Sequence, residues 1–242
     1  GVDTEVVLRK HGIPDDHAPD AVAEARARDA AVHPHEIAGR TDFRGEVVVT
    51  IDGEHARDFD DAISIARRPN GHYWLGVHIA DVAHYVREGS ALDLDGFERG
   101  TSVYFPERAV HMFPHELATG VCSLNPHVDR LVQSCLMEVN RQGDVVRYEL
   151  HDGVIHSRAR MTYTAVNAIV AERDPALRET YRELVPTFEL MHELFAVLNG
   201  RRRRRGSIDF DLPEAEVRVD ADGAISDIVA AGLPDEPARS AG

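Results

Sequence analysis

The sequence predicts an α+β fold, and three observations carry that prediction. Short β-branched or apolar runs at 46–51, 62–66 and 73–80 are separated by turn residues, and the second and third form a candidate hairpin. Two longer apolar runs, 131–139 and 145–157, flank the turn tripeptide Gln142-Gly143-Asp144. Residues 162–205 are helix-rich, and alternation returns after 207. Strands, then helices, then strands again is the segregated order of an α+β domain.

In chain order, Val6-Val7-Leu8 is followed by a break at Gly12-Ile13-Pro14-Asp15-Asp16. Residues 19–31 are rich in Ala, Glu and Arg, with good helix propensity but little apolar face, which predicts a surface linker helix. Residues 1–45 therefore read as a lead-in segment rather than core. His33-Pro34-His35 is a weak metal-ligand pattern, because proline fixes the spacing poorly. Pro69-Asn70-Gly71 is the turn between the hairpin strands. Ser90 starts a helix that Gly100 stops. Residues 103–105 ahead of Pro106 form a short extended piece, and 115–120 one or two helical turns. A helix spans 162–171, and Pro186 splits the helical run 175–205 in two. Strands are predicted at 207–212, 215–219 and 225–229, with a turn at 220–223. The tail, 233–242, is rich in Gly, Pro, Ala and Ser and has nothing to bury.

Across 242 residues, 43% hydrophobic and 29% charged composition indicates a soluble globular chain. No apolar run approaches the ~20 residues that cross a bilayer, and residues 1–30 lack the charged-then-apolar layout of a secretory leader. A cytoplasmic, monomeric protein is expected. Cys122 and Cys135, both in apolar stretches without metal-ligand spacing, read as buried free thiols in a reducing compartment. A net charge of −15 argues against holding nucleic acid by overall positive potential. It does not exclude a metal enzyme acting on nucleic acid, because bound cations reverse the local field.

The chemistry concentrates in Thr50-Ile51-Asp52-Gly53-Glu54-His55-Ala56-Arg57-Asp58-Phe59-Asp60-Asp61-Ala62, which places four aspartates within ten residues after Val47-Val48-Val49. Neighbouring carboxylates repel and raise one another's pKa, a cost that a cation removes. Oxygen-only ligands suit a hard ion such as Mg²⁺ or Mn²⁺. Asp52 ends a strand, Gly53 lets the chain double back, and Asp58 and Asp60 project the same way if the segment is extended. Such a loop could hold one metal, or two set ~3.5–4 Å apart. An EF-hand is ruled out, since its third ligand and glycine would fall on Ala62 and Ile63. An aspartyl nucleophile at Asp58 or Asp60, and a merely solvated acidic loop, stay open on spacing alone. His111 and His115 flank Pro114, which prevents an i,i+4 helical pair and argues against zinc.

The wording of this stretch is more specific than its composition, and it resembles the signature of the ribonuclease II/ribonuclease R family. The likeness continues through Val77-His78-Ile79-Ala80-Asp81-Val82-Ala83-His84-Tyr85-Val86, Gly100-Thr101-Ser102-Val103-Tyr104-Phe105-Pro106 and Cys122-Ser123-Leu124-Asn125-Pro126. Ile155-His156-Ser157-Arg158-Ala159-Arg160-Met161-Thr162-Tyr163 and Gly206-Ser207-Ile208-Asp209-Phe210 extend it, so that it covers about residues 4–230. It is closer to the ribonuclease R branch. His111 departs from the pattern, standing where members usually carry proline.

The resemblance implies a mixed, mainly antiparallel sheet flanked by helices, the N-terminal half of the family's catalytic domain at 46–232. It implies a Mg²⁺-dependent (or Mn²⁺-dependent) 3′→5′ exoribonuclease that releases nucleoside 5′-monophosphates from single-stranded RNA ends. Asp52, Asp58, Asp60 and Asp61 become the catalytic, metal-binding cluster. Asp52 and Asp61 are the first choices for direct metal contact, and Asp60 is the residue whose loss most harms the chemical step. Tyr104 falls on the tyrosine that packs against the 3′-terminal nucleotide, and Phe210 on its stacking partner; aromatic faces grip any base. Arg201 to Arg205 either complement a helix dipole or touch RNA phosphates. The family's cold-shock and S1 modules, and its Thr-Ser-Pro-Ile-Arg segment with a phosphate-contacting arginine, have no counterpart in these residues. The expectation is a fragment with weak or no independent activity. Robust processive degradation by this chain would contradict it.

Overall fold

The β-branched runs pair as their turn residues dictate. The computed structural model describes residues 2–106, 108–208, 214–219 and 225–231. Helices α1 (Val2–His11), α2 (Pro19–Arg26) and α3 (Pro34–Ile37) precede strands β1 (Thr41–Asp42), β2 (Val48–Asp52), β3 (Asp61–Arg67) and β4 (Tyr73–Ala80). Then come α4 (Val82–Tyr85), α5 (Ala91–Arg99), β5 (Val103–Tyr104), β6 (Ala109–Val110) and a π-helical turn, Glu116–Val121. Strands β7 (Asp129–Val139), β8 (Val145–His156) and β9 (Ala159–Thr162) lead into α6 (Tyr163–Asn167), a second π-helical turn, α7 (Pro175–Thr180) and α8 (Val185–Arg204). Strands β10 (Glu214–Val219) and β11 (Ile225–Ala231) pair with each other in a two-stranded sheet.

Seven strands form one mixed sheet in the order β1-β8-β7-β4-β3-β2-β9. Its four central pairings are antiparallel, and only the edge strands β1 and β9 run parallel to their neighbours. This is the α+β, mainly antiparallel architecture that the sequence predicts. Alternation sorts its two faces. Val48 packs with Phe43, Phe59, Ala62, Leu124, Val132, Leu136 and Ile155. Val49, the next residue, packs on the opposite face with Met161, Ile169, Val185 and Phe188 beneath α6 and α8.

Expectations for the early chain and for one cysteine are corrected. The segment 19–31 is not a surface linker helix: α2 ends at Arg26, and its Ala21 and Ala25 are fully buried against Tyr85, Leu92, Leu117 and Val121. Alanine stripes carry little amphipathic signal, yet their small side chains let α5 approach closely. Leu92 N donates to Glu24 Oε2 (3.2 Å), Arg26 pairs with Glu116 (2.9 Å) and His17 with Asp95 (2.6 Å). Residues 41–42 join the sheet itself, so the early chain is knitted into the core. Cys122 is buried as expected, with its thiol pushed up to about 12 chiefly by burial, whereas Cys135 is only half-buried. The strand reading at 207–212, the turn at 220–223, Phe210 and the tail at 233–242 lie wholly or partly outside the described residues.

His78 sits fully buried on β4, between Ser64 (3.1 Å) and Ser134 (2.8 Å), and burial lowers its pKa to about 4. The fold therefore favours the neutral ring. Unfolded, the imidazole protonates near pH 6.5, so the stabilisation is complete above that value and is lost as pH falls from 6.5 towards 4. Denaturant titrations are expected to show about 3 kcal/mol less stability at pH 4 than at pH 7 from this one group. His78→Gln should flatten that part of the pH profile; an unchanged slope would contradict the assignment.

Candidate active site

The acidic stretch bridges two adjacent strands. Asp52 is the last residue of β2, Asp58 and Asp60 stand on the connecting loop, and Asp61 is the first residue of β3. Between Asp58 and Asp60 the buried Phe59 turns inward to the Val48 cluster, so the two carboxylates flank an anchor. The anchor is fastened on both sides. Phe59 N donates to Ser123 Oγ (3.0 Å), Leu124 N donates to Phe59 O (2.8 Å), and Ser123 Oγ donates to Arg57 O (3.0 Å). Ala80 N donates to Asp60 O (2.9 Å), tying the loop's exit to β4. At its entrance, Arg160 on β9 reaches across to donate to Gly53 O (2.7 Å) and Glu54 O (2.8 Å). The loop is a rigid mount for its carboxylates.

Electrostatically the cluster is under-neutralised. Burial first, then the charge of Asp61, raises the Asp52 pKa; Arg160 opposes the shift, and Asp58 and Asp60 add to it. Burial first, then Asp58 and Asp61, raises that of Asp60, with His111 opposing. Asp52 Oδ2 is buried without a hydrogen-bond partner. An orphaned carboxylate oxygen among mutually repelling carboxylates is the donor chemistry a hard divalent cation satisfies. Among the described residues, no three His, Cys, Asp or Glu groups converge closely enough to hold a metal ion. Asp58 is turned elsewhere: its Oδ2 accepts the Tyr104 hydroxyl and lies 3.7 Å from His111 Nδ1.

Tyr104 ends β5 and is largely exposed, on the wall of a cavity of about 900 Å³ that Arg57, Asp58, Arg108, His111 and Arg160 also line. Partial burial, and then the bond to Asp58, push its phenol up to about 12, so the oxygen stays protonated and donates. A smaller cavity, about 270 Å³, adjoins Asp58 and Asp60. Three other polar residues are engaged elsewhere. Asp81 is buried in an ion pair with Arg40 (2.7 Å) and caps α4 through His84 N (3.2 Å). Arg201 fastens α8 to the β7–β8 turn through Gly143 O (2.5 Å) and Asp144 (2.9 Å), so at least this arginine has a structural partner. His33 takes part in the capping box of α3 and pairs with Asp29 (2.9 Å).

Sequence reasoning assigned no role to Ser123, Arg160 or His111 at the acidic loop. Ser123 and Arg160 lie within motifs that carried the family resemblance, but nothing in their local spacing points to a loop far away in the chain.

Fold and cleft define a class: a mixed-sheet α+β protein whose carboxylates gather at adjoining strand ends, beside a cavity walled by arginines and a tyrosine. The RNB domain matches residues 40–240, and the chain belongs to that family. Ribonuclease R 1 of Lactococcus lactis subsp. lactis is 45% identical over 223 residues, which are 92% of this chain and 27% of that protein. Ribonuclease R of Thermotoga maritima is 45% identical over 231 residues, 94% of this chain and 32% of that one. Mycoplasma genitalium RNase R, solved in complex with ribose methylated single-stranded RNA, superposes with a TM-score of 0.86 at 26% identity. That match covers 96% of this chain and 36% of the other. The chain spans about a third of the length of the relatives it matches. Among the described residues no helix is long and apolar enough to cross a membrane.

Proposed function

We propose that this chain supplies the acidic half of a divalent-metal exoribonuclease site that shortens single-stranded RNA from its 3′ end, releasing nucleoside 5′-monophosphates. One observation carries the reading: the four carboxylates at the β2–β3 junction, with Asp52 Oδ2 orphaned, beside a cavity that presents Tyr104. Asp52 and Asp61 would hold the cation, with Asp58 and Asp60 completing the set. A bound Mg²⁺ or Mn²⁺ supplies an activated water and offsets charge on the leaving oxygen. The protein's own part is positioning. Phe59, Ser123 and Arg160 fix the loop, and the Tyr104 ring offers a face on which any terminal base stacks, with Phe210 as its partner. Residues 46–232 form the catalytic body, 1–45 a lead-in packed into its core and sheet, and 233–242 a tail. The working compartment is the cytoplasm, the chain acts as a monomer, and cold-shock and S1 modules complete the intact protein.

A second reading, RNA binding without turnover, is favoured by the absence of a three-ligand convergence among the described residues and by the engagement of Asp58 with Tyr104. End-resolved digestion separates the two. With the chain in large excess over a 5′-labelled oligoribonucleotide and Mg²⁺ present, slow shortening from the 3′ end is expected, stopped by chelation. Binding without shortening would favour the second reading. Internal cleavage, or hydrolysis of free nucleotides instead of RNA, would contradict both.

A further inference from the structure

The geometry points to His111 as the residue that positions Tyr104 for stacking on an RNA 3′ end, an inference that rests on the function proposed above. Strands β5 and β6 form a minimal hairpin in which Tyr104 lies opposite Ala109 and Val103 opposite Val110. His111 follows β6 directly, which brings its ring beside Tyr104. The two rings stand perpendicular with centroids 6.4 Å apart, an edge-to-face arrangement. The imidazole is mostly buried, and its Nδ1 lies 3.7 Å from the Asp58 carboxylate that receives the Tyr104 hydroxyl.

Tyr104 is thus held at two points, its oxygen by Asp58 and its ring by His111, while 64% of the residue remains exposed for a ligand. A two-residue strand hairpin cannot by itself fix an exposed aromatic side chain, whose rotamer freedom would be lost again on binding each RNA end. His111 removes that freedom in advance. Its Nδ1 is buried without a hydrogen-bond partner among the described residues, and the Tyr104 ring and the Asp58 carboxylate are its neighbours. His111 lines both cavities, the larger one with Tyr104 and the smaller one with Asp60, as Asp58 does. His111 is accordingly a positioning residue that acts through Tyr104 and touches no reacting atom.

The test is affinity for two 5′-fluorescent single-stranded oligoribonucleotides, one with an intact 3′-terminal nucleotide and one abasic at that position, measured with chelator present so that neither is cut. Stacking on one base is expected to favour the intact end about tenfold in the wild-type chain. In His111→Ala that preference should fall to about twofold, as in Tyr104→Ala, the double variant should add nothing further, and abasic affinity should stay unchanged. His111→Phe, which keeps a ring beside Tyr104, should retain most of the preference. If His111→Ala discriminates as well as wild type, or weakens both oligonucleotides equally, His111 does not position Tyr104, and the proposed function is untouched. If wild type ignores the terminal base and Tyr104→Ala changes nothing, or if no RNA is bound, the 3′-end reading fails and the inference falls with it.

Discussion

Asn in place of Asp60 is expected to lower RNA hydrolysis by about 10²–10³-fold or more while leaving RNA affinity within about twofold. The substitution keeps the shape and removes one charge. The backbone is unaffected, because Asp60 O still accepts from Ala80 N and Phe59 still fills its pocket. What disappears is a carboxylate whose pKa is already raised, first by burial and then by its neighbours, so the variant should be no less stable than wild type at neutral pH. Single-turnover digestion alongside fluorescence anisotropy and a thermal melt checks all three. Unchanged hydrolysis would remove Asp60 from the chemistry, and equal loss of binding would make it a contact residue instead.

The second large effect is expected at Phe59, which touches no substrate. Truncating this buried ring to alanine removes the anchor between Asp58 and Asp60 and opens a cavity against Val48, Ala62, Ala80 and Leu124. Such truncations cost about 3–5 kcal/mol. Denaturant unfolding should show that loss, and Mn²⁺ affinity should fall with it, because the loop's carboxylates share the mount. Phe59→Leu, which refills most of the volume, should cost less than about 1.5 kcal/mol and keep metal affinity near wild type. A fully stable Phe59→Ala chain would show that the loop is held by its hydrogen bonds to Ser123 and Arg160 alone.

Where local chemistry decides structure, the sequence was readable. Pro69-Asn70-Gly71 between β-branched runs became the β3–β4 turn, with Gly71 at φ 79°. Ser90 caps α5 by accepting from Asp93 N (3.2 Å), and Gly100 ends that helix in the left-handed region at φ 72°. Tertiary decisions were not readable. Strand β9 spans four residues with one buried side chain, Met161, and pairs in parallel with β2 from a distant part of the chain. The burial of α2 rests on two alanines, too small to stand out in an Ala-rich run. The helical segment expected at 115–120 is kinked, because the Gly120 backbone leaves helical geometry at φ −98°, ψ −112°. At the site, the carboxylates and Tyr104 were legible from the acidic spacing and the family resemblance. Their fastening was not, since Ser123, Arg160 and His111 arrive from separate elements.

Manganese titration followed by electron paramagnetic resonance tests the central claim most directly, because it reads the cation at the acidic loop without depending on turnover. Saturable Mn²⁺ binding to the wild-type chain is expected, weakened at least about tenfold in Asp52→Asn and in Asp61→Asn. It should be displaced by Mg²⁺ and unaffected by Asp81→Asn in any chain that folds, since Asp81 is bound to Arg40. Binding that is absent from wild type, or that survives both Asp52→Asn and Asp61→Asn unchanged, would contradict the assignment of the β2–β3 carboxylates as a metal site.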